Sequence, residues 1–459
     1  MTTYEVSNKQ RTLLLSGIVV GVICLILTWI GDDALHTRFW TNFLHNSVFF
    51  TGISLMAIFF YSVCTTAWGG WFIVFKRVWE SMGMFLVVGL ILMGIMALGT
   101  VFDLHHVYHW ADQASVDGDK ILQQKSSFLN NFWYVVSVGI VAVWFFFAYK
   151  IRQNSIAEDD NNDKAYGIHF KNRWWTATFL PIAGFSVCLV IWQWVMSIDA
   201  HWYSTMFAWY SGASLFVSMI AMTILILIFL KSKGYYPNVS LEHFHDLGKF
   251  MFAFSIFWTY LWFSQYMLIW YANVGEETVY FKTRQDQYPV LFYANLVINF
   301  ILPFFILMRN DTKRKYGTLI FVGLIVIFGH WLDFFLMIKP GALHTAHEIS
   351  GSHGDHSTGH MVPDGHGASD HGTELGQHAA EAAGHHGGSA LDHAVDAGHH
   401  AAAHASSFEA GFTLPGFLEI GTMIGFLCAF LYFFYTTLGK SKLVPKNDPY
   451  LSESLHHHV

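Results

Sequence analysis

Apolar residues in this chain are grouped into long runs that polar residues rarely interrupt. Ten of these runs, at about 20 residues each, are long enough to cross the hydrocarbon core of a bilayer as a helix. They cover roughly residues 12–30, 39–63, 83–103, 128–149, 174–198, 206–230, 250–272, 289–308, 316–338 and 412–437. Because hydrocarbon offers no partner to a free backbone amide, each run must be helical. The pattern therefore predicts an all-α polytopic membrane protein with about ten transmembrane helices.

One apolar stretch, "GGWFIVFKRVWESMG" at 69–83, does not fit this pattern. It is shorter than the others and carries Lys76 and Arg77 near its centre. A short apolar segment with two cations is typical of a helix that lies along the membrane surface. We expect an interfacial connector here rather than a further span.

Composition supports the membrane assignment. Hydrophobic residues make up 54% of the 459 residues and charged residues only 12%, whereas a soluble protein carries roughly a quarter charged residues. No basic stripe suggests nucleic-acid binding. The cysteines all fall inside apolar runs and none has a partner at CxxC spacing, which argues against an iron–sulfur or zinc motif. They are Cys24, Cys64, Cys188 and Cys428.

The distribution of lysine and arginine predicts the direction of the helices. Of the 25 such residues, 19 lie in the N-terminus, in the connectors after helices 2, 4, 6 and 8, and in the C-terminus, while 6 lie in the alternate segments. Positive residues favour the cytoplasmic side of a membrane. We therefore expect both termini inside and the connectors after the odd-numbered helices outside.

The chain divides into four parts on this view. Residues 1–340 hold helices 1–9, 341–411 form a loop on the outer side, 412–438 form helix 10, and 439–459 form a cytoplasmic tail. The loop is of low complexity and carries 14 of the 27 histidines between His344 and His404. Such a segment has too few large apolar residues to fold alone. Metal capture and docking on a partner are both open as its purpose.

Ionisable residues gather at the outer ends of the helices. Helix 3 ends in "VFDLHHVYHW" at 101–110, where one aspartate and three histidines come together. Helix 5 ends in "SIDAHWYST", and helix 9 contains "GHWLDFF" shortly before its outer end. Two more ionisable residues lie about two turns inside helices 2 and 10. The candidate site residues are His45, Asp103, His105, His106, Asp199, His201, His330, Asp333 and Glu419.

Each of these residues has a plainer interpretation. Ionisable side chains at helix ends often only anchor the helix among lipid head groups, and a buried set can be a structural network. A charge well inside the bilayer costs about 2.5–3.5 kcal/mol or more, so it pairs or lines a cavity. That cost favours function for His45 and Glu419 in particular. The inner halves of the helices hold little beyond hydroxyl groups, which predicts a dry inner half.

Histidine beside aspartate suits proton handling. The unperturbed pKa of histidine is near 6.5, and a neighbouring carboxylate favours the charged ring. A quinol head group needs such a pair, one group to take the hydroxyl proton and one to orient the ring. Haem ligation would need histidines facing each other at membrane depth, and only His45 and His330 qualify. A metal transporter would need ligands near the midplane beside broken helices, and no such cluster is present.

A faint repeat indicates how the helices assemble. Helices 5 and 9 both run outward and both end with an aspartate and a histidine close together. They lie four helices apart, which suggests two four-helix bundles of parallel sense, roughly 39–198 and 206–338, with helices 1 and 10 flanking them.

One family combines these features. The stretch "MSIDAHWYSTMFAWYSGASLF" at 196–216, the ten spans and a His-rich insertion before the last helix stand together. The chain resembles the NrfD/polysulfide-reductase-like integral membrane subunits of bacterial alternative complex III, specifically the ActF-like homologue of the quinol-oxidising ActC subunit. The resemblance covers nearly the whole chain apart from the His-rich loop.

The resemblance implies two four-helix bundles and a respiratory quinol:cytochrome c or electron-acceptor oxidoreductase in the bacterial inner membrane, with the His-rich loop in the periplasm. It implies a homologous membrane subunit, an iron–sulfur protein and a multihaem cytochrome c subunit as partners, with the redox centres on those partners. This chain would support menaquinol or ubiquinol binding, or proton movement, and would carry no cofactor of its own. The family's polar cluster would fall on Asp103, His105, Asp199, His201, His330 and Asp333. The alternative function is a metal-ion transporter that uses the His-rich loop as a collector.

The charge distribution generates a topological prediction. A cysteine placed at Ser352 should react with a membrane-impermeant maleimide in intact cells, because the loop at 341–411 is expected outside. A cysteine placed at Ser232, in the connector after helix 6, should react only after lysis. The opposite pattern of labelling would reverse the orientation and move every polar cluster to the other face.

Overall fold

The computed structural model describes residues 3–160, 166–354 and 410–457. Ten long helices follow one another in the predicted order, and the described residues contain no β-strand. They are α1 Asn8–Ile30, α2 Thr37–Thr66, α3 Ile73–Val101, α4 Asn131–Asp160, α5 Gly167–Trp194, α6 Met206–Ser232, α7 Leu241–Ala272, α8 Pro289–Leu307, α9 Tyr316–Gly354 and α10 Phe417–Leu438. Shorter helical segments in the connectors are His109–Ala111, Gln113–Gly118, Lys120–Lys125, Met196–Ile198, Gly275–Gln287, Thr312–Arg314, Ala410–Thr413 and Leu451–Leu455.

Nine of the long helices in the described ranges are long and apolar enough to cross a membrane. The remaining one, α7, has 32 residues, which is about 48 Å at 1.5 Å per residue. Its tryptophans, tyrosines and polar residues lower its mean hydropathy relative to the others. The prediction of an all-α, multi-pass membrane protein is confirmed.

The middle eight helices form two bundles. Helices α2 to α5 pack around one core, each against the next, and α5 closes the ring on α2. Helices α6 to α9 form a second ring in the same way. Helix α2 also packs against α6 and α9, which joins the two bundles, and α1 and α10 pair beside α2. The internal repeat therefore predicts the arrangement of the bundles correctly.

The two ends of the bundles differ in what caps them. We call the end that holds residues 66–83 and 439–457 the tail end. We call the opposite end, which holds residues 102–130 and 195–205, the loop end. The candidate site residues predicted from the sequence lie at the loop end or in the helices just beneath it.

The segment 73–83 is buried rather than laid along a surface, so the interfacial assignment is wrong. Lys76 and Arg77 lie near the start of α3, are fully buried and belong to an ion-pair network. Lys76 Nζ lies 2.5 Å from Asp448 Oδ2, and Arg77 Nη2 lies 2.6 Å from Asp159 Oδ2. These carboxylates come from the C-terminal tail and from α4, and they offset the cost of burying the two cations.

Helix α9 runs beyond its predicted end at 338. It continues through Pro340 to Gly354, whereas the sequence pattern predicted a loop from residue 341. The extension is held by a buried face that includes Ala342, Leu343 and Ile349. Burial of this apolar face outweighs the loss of one helical hydrogen bond at the proline. Most of the predicted His-rich loop, residues 355–409, lies outside the described residues.

Helices α1 and α10 approach each other through glycines. Gly17 and Gly21 on α1, and Gly421 and Gly425 on α10, are spaced four apart as in the small-xxx-small motif of membrane helix pairs. A methyl group on Gly21 would overlap the Cα of Gly425. The close approach of the two backbones therefore requires glycine at both positions.

This interface generates a prediction. Gly21→Ala should destabilise the protein by about 1–3 kcal/mol, because the added methyl group overpacks a tight contact. Thermal unfolding in detergent, followed with a thiol-reactive dye, should show a lower midpoint. The matched control is Gly94→Ala in α3, where a Cβ would meet nothing within 4 Å. Equal midpoints for the two variants would contradict the assigned role of Gly21.

Candidate functional site

A cavity of about 670 Å³ opens at the loop end, between the loop after α5, the helix Gly275–Gln287 and the end of α9. Ionisable side chains from both bundles line it. They are His109, Lys125, Asp199, His201, Glu276, Arg284, His344 and Glu348. Two of the sequence-predicted residues, Asp199 and His201, are among them.

Asp199 is anchored by an arginine of the second bundle. Helix α5 ends at Trp194 and tightens into the 3₁₀ turn Met196–Ile198, which turns Asp199 towards α9. Arg284 Nη2 donates to Asp199 Oδ2 at 2.9 Å. The carboxylate can approach the backbone of α9 because position 341 is glycine, where a Cβ would lie 2.7 Å from Asp199 Oδ1.

Arg284 is itself held in place by backbone carbonyls. Its Nε donates to Leu336 O and its Nη1 to Tyr280 O, each at 3.0 Å. Its guanidinium lies 3.4 Å from the centroid of the Tyr280 ring, as expected for a cation–π contact. Burial opposes the charge of Arg284, but Tyr280 and Asp199 raise its pKa above the ordinary value, so the guanidinium is a fixed positive charge in the cavity wall.

His201 is paired on the other side of the cavity. Its Nε2 forms a hydrogen bond with the carboxylate of Asp119. Partial burial raises the pKa of Asp119, but the His201 hydrogen bond and backbone amides outweigh it and hold the pKa below its usual value. Lys125 Nζ donates to Ala200 O at 2.8 Å and to His201 O at 3.0 Å. The connector 113–125 is thereby fastened over the loop after α5.

Three further groups meet at the cavity mouth. Glu348 Oε2 lies 3.4 Å from His109 Nδ1 and 3.4 Å from His344 Nδ1. The ring of His109 lies 5.5 Å from that of His201. Burial lowers the pKa of His109, so its imidazole is neutral at neutral pH and can accept a proton.

Asp333 lies in the interior of the second bundle and accepts hydrogen bonds from three elements. The Tyr210 hydroxyl of α6 donates to Oδ1, Trp258 Nε1 of α7 donates to Oδ2 at 3.0 Å, and Asn295 Nδ2 of α8 donates to Oδ1 at 2.8 Å. Asn299 donates to Asn295 Oδ1 at 2.5 Å from a π-helical turn, Val297–Ile301. Such π-bulges are frequent at functional sites.

His330 lies one turn before Asp333 on α9 and is fully buried. Its Nδ1 is 2.9 Å from Ser214 Oγ, whereas its Nε2 has no hydrogen-bond partner among the described residues. Asn299 Oδ1 likewise has no hydrogen-bond partner among the described residues. Buried polar atoms of this kind are normally satisfied, by a water if by nothing else.

The interior network reaches the cavity through a small gap. Tyr210 and Asn295, which bond Asp333, line a space of about 20 Å³ together with Tyr280 and Arg284. Arg284 in turn contacts Asp199 in the cavity wall. Polar groups therefore follow one another from the bundle interior to the loop end.

His45 and Glu419 belong to buried networks beside α2. His45 Nε2 lies 2.9 Å from Trp331 O, and its ring stacks on that of Trp331 at 4.7 Å. Glu419 Oε1 accepts from Arg38 Nε at 2.8 Å and from Asn42 Nδ2 at 3.1 Å. These contacts tie α2 to α9 and α10. Both residues are paired in the interior, as the cost of burial requires.

The end of α3 does not join the cavity. Asp103 is exposed and adopts a left-handed conformation with φ 56° where the helix ends, a conformation in which Asp is tolerated. His105 packs on Trp40, and its Nε2 lies 3.3 Å from Met96 O. His106 contacts Asp103 only loosely, at 3.7 Å. Of the six positions of the family's polar cluster, Asp199 and His201 line the cavity, whereas Asp103, His105, His330 and Asp333 do not.

Sequence reasoning missed several of the residues described above. Arg284 and Tyr280 lie in a connector, where an arginine is unremarkable, and Tyr210 and Asn295 lie in apolar runs. The prediction of a dry inner half is also wrong, since the tail end holds a buried network. Its members are Lys76, Arg77, Glu80, Arg152, Glu158, Asp159, His169 and Asp448. The pair Lys76 and Arg77 within an apolar stretch was the signal for it.

Comparison with known proteins does not assign a family. No protein-family model matches the sequence, and no curated protein matches it. The case for a function therefore depends on the geometry of the cavity and of the network below it.

The Asp199–Arg284 pair generates a prediction. Arg284→Gln should destabilise the protein by about 3 kcal/mol, because it leaves the Asp199 carboxylate without its partner. Adding Asp199→Asn to Arg284→Gln should cost less than the sum of the two single substitutions, since the two side chains interact directly. Unfolding of the four proteins in a mixed detergent–denaturant titration measures this coupling. Strict additivity would show that the two side chains do not stabilise each other.

Proposed function

We propose that this chain is a membrane subunit of a respiratory quinol oxidoreductase of the alternative complex III type. In this role it moves protons between its interior and the loop end, and the cavity at the loop end receives the polar head group of a quinol. The redox centres lie on partner subunits, an iron–sulfur protein and a multihaem cytochrome c, and a homologous membrane subunit lies beside this chain.

The observation that supports the proposal best is the series of neighbouring polar groups that leads through the structure from Asp333 to Asp199. A proton needs groups that can both bind and release it, placed within hydrogen-bond reach of one another or of a bridging water. Asp333 and Tyr210 are in direct contact, and the gap lined by Tyr280 and Arg284 is about large enough for one water. Asp199 follows at the cavity wall.

The cavity has the features that a quinol head group needs. It is concave, and apolar side chains such as Ile121, Val279 and Trp202 line it together with a few polar groups, as is typical of small-molecule sites. His109 supplies a neutral imidazole that can accept a hydroxyl proton. Asp199, which Arg284 holds in the cavity wall, supplies a carboxylate that can orient the opposite hydroxyl.

Metal transport, the rival function, is less well supported by the described residues. Glu158, His169 and Asp448 come close enough together at the tail end to hold an ion. Lys76 Nζ, however, lies 3.3 Å from Glu158 and 2.5 Å from Asp448. Its ammonium group takes the place that a metal would need.

The proposal is tested with Asp333→Asn, which is nearly isosteric but cannot carry a proton. Quinol oxidation by the co-purified complex, or the proton release coupled to it in proteoliposomes, should fall by about 100-fold, the size of effect typical for a general acid–base group. Asp199→Asn should have an effect in the same direction. Co-purification of the haem and iron–sulfur subunits should be unchanged.

The matched control is Asp103→Asn, an exposed aspartate at the same end that does not line the cavity. It should retain the full rate. If Asp333→Asn assembles and keeps both its rate and its proton coupling, the proposed proton route is wrong. If the chain does not co-purify with redox subunits at all, the proposed complex is wrong.

A further inference from the structure

A groove of about 470 Å³ lies between the α1–α10 pair and helices α2, α6 and α9. Its lining is apolar except for Gln10 and Tyr435. Leu13 of α1 is 69% exposed and Leu324 of α9 is 58% exposed, so the groove opens to the surrounding lipid between these two helices. None of its lining residues belongs to the cavity at the loop end.

The groove is about as long as one leaflet of a bilayer is deep. Along α10 its lining residues are Met423, Leu427, Leu431 and Tyr435, and a helix rises about 18 Å over that distance. Half of the hydrocarbon core of a bilayer is about 15 Å. An empty apolar groove would forfeit the dispersion contacts of its walls, so its length and chemistry suit a single hydrocarbon chain.

The polar end of the groove lies at the tail end and is marked by tyrosines. The Tyr4 hydroxyl donates to Gln10 Oε1 at 2.5 Å. The ring of Tyr4 lies 4.9 Å from that of Tyr235 and 5.3 Å from that of Tyr435. Tyrosines are enriched at the head-group level of a membrane. The amide nitrogen of Gln10 donates to none of the described residues, so it can donate to an ester or phosphate oxygen.

The segments that border this end have a strong excess of positive charge. Residues 3–13, 229–240 and 435–446 contain seven lysines and arginines but only one carboxylate, Glu5. None of the seven cations forms an ion pair with another described residue. Basic pockets between membrane helices are typical binding sites for the head groups of acidic lipids.

Two of the lysines extend directly from the walls of the groove. Lys9 precedes the lining residue Leu13 by four positions on α1, so both lie on the same face of that helix. Lys233 follows the lining residue Phe229 by four positions, and its Nζ lies 5.8 Å from the centroid of the Phe229 ring. Both lysines are exposed. They are therefore placed beyond the apolar part of the groove, at the level where a lipid phosphate would lie.

We infer that the groove binds an acidic phospholipid, with one acyl chain between α1 and α9 and the phosphate held by Lys9, Lys233 and Gln10. A zwitterionic lipid has an acyl chain of the same kind, but its positive group would meet the excess of lysines. The head group therefore decides which lipid binds, through an attraction for one and a repulsion for the other. The inference is independent of the proposed function, because the groove and the cavity lie at different places in the fold.

The test compares two lipids that differ only in the head group. Delipidated full-length protein in detergent is titrated with dioleoylphosphatidylglycerol or with dioleoylphosphatidylcholine, and bound lipid is counted by native mass spectrometry. One phosphatidylglycerol should bind at concentrations at which phosphatidylcholine does not. It should also raise the thermal midpoint, since a ligand that binds only the folded state stabilises it.

Two variants separate the head-group site from the groove. The double variant Lys9→Gln with Lys233→Gln should weaken phosphatidylglycerol binding by about 10- to 30-fold, because each basic residue near a membrane surface adds about fivefold to the attraction for anionic lipid. Leu324→Trp should weaken it as well, because the larger ring fills the groove. Both lysines and Leu324 are exposed, so the variants should keep the thermal midpoint of the unaltered protein in lipid-free detergent.

The matched control is Lys150→Gln with Lys171→Gln, which removes two lysines from α4 and α5 that do not border the groove. It should bind phosphatidylglycerol as the unaltered protein does. Equal binding of the two lipids would show that the groove takes any lipid chain and would refute the acidic site. Unchanged phosphatidylglycerol binding in the Lys9 and Lys233 double variant, or in Leu324→Trp, would place the lipid elsewhere and would also refute it.

Discussion

The cost of removing an ion from water governs the organisation of this protein. A charged side chain inside a membrane protein is tolerated when a partner of opposite charge or several hydrogen bonds replace its hydration shell. Each buried ionic network here draws its members from different helices. Arg284 comes from the connector before α8 and Asp199 from the loop after α5, so their contact links the second bundle to the first. The helices must therefore pack so that each buried charge meets its partner, and the ion pairs in turn fix how the helices pack.

At the tail end the buried charges are also paired across elements, and here the pairing is complete enough to hold the C-terminal segment in place. Lys76 and Arg77 enter the interior at the start of α3 and meet Asp159 from α4 and Asp448 from the C-terminal segment. Lys446 N also donates to Asp159 Oδ1 at 2.8 Å. The carboxylates are fully used in pairing with cations, so the network fastens the C-terminal segment to the first bundle. At the loop end, by contrast, His109, His344 and Glu348 are only loosely paired, and a cavity is left beside them.

The two ends also differ in how firmly their ionisable groups are paired, and the proposed function lies at the end where the pairing is looser. Strongly paired groups such as Arg77 and Glu80, 2.7 Å apart, have little freedom to exchange a proton or bind a ligand. Groups with long contacts or missing partners, such as His330 Nε2, retain that freedom. The interior of the second bundle combines both kinds of group around Asp333. A fixed frame with a few unsatisfied polar atoms, which water can bridge, is consistent with the proton route that we propose.

The sequence by itself determined the number, order and approximate limits of the long helices, because a span of apolar residues in a membrane has only one way to satisfy its backbone. It also determined that His45 and Glu419 would be paired or line a cavity, since burying a charge in the bilayer is costly. Which partners they take was decided only by the tertiary structure. Tyr210, Asn295 and Arg284 carry no local signal, because an isolated tyrosine, asparagine or arginine is common at such places. The extension of α9 past Pro340 and the burial of Lys76 depend on neighbours distant in the chain, and so does the separation of Asp103 from Asp199. Those contacts are set by how the two bundles pack, and periodicity along one helix does not contain that information.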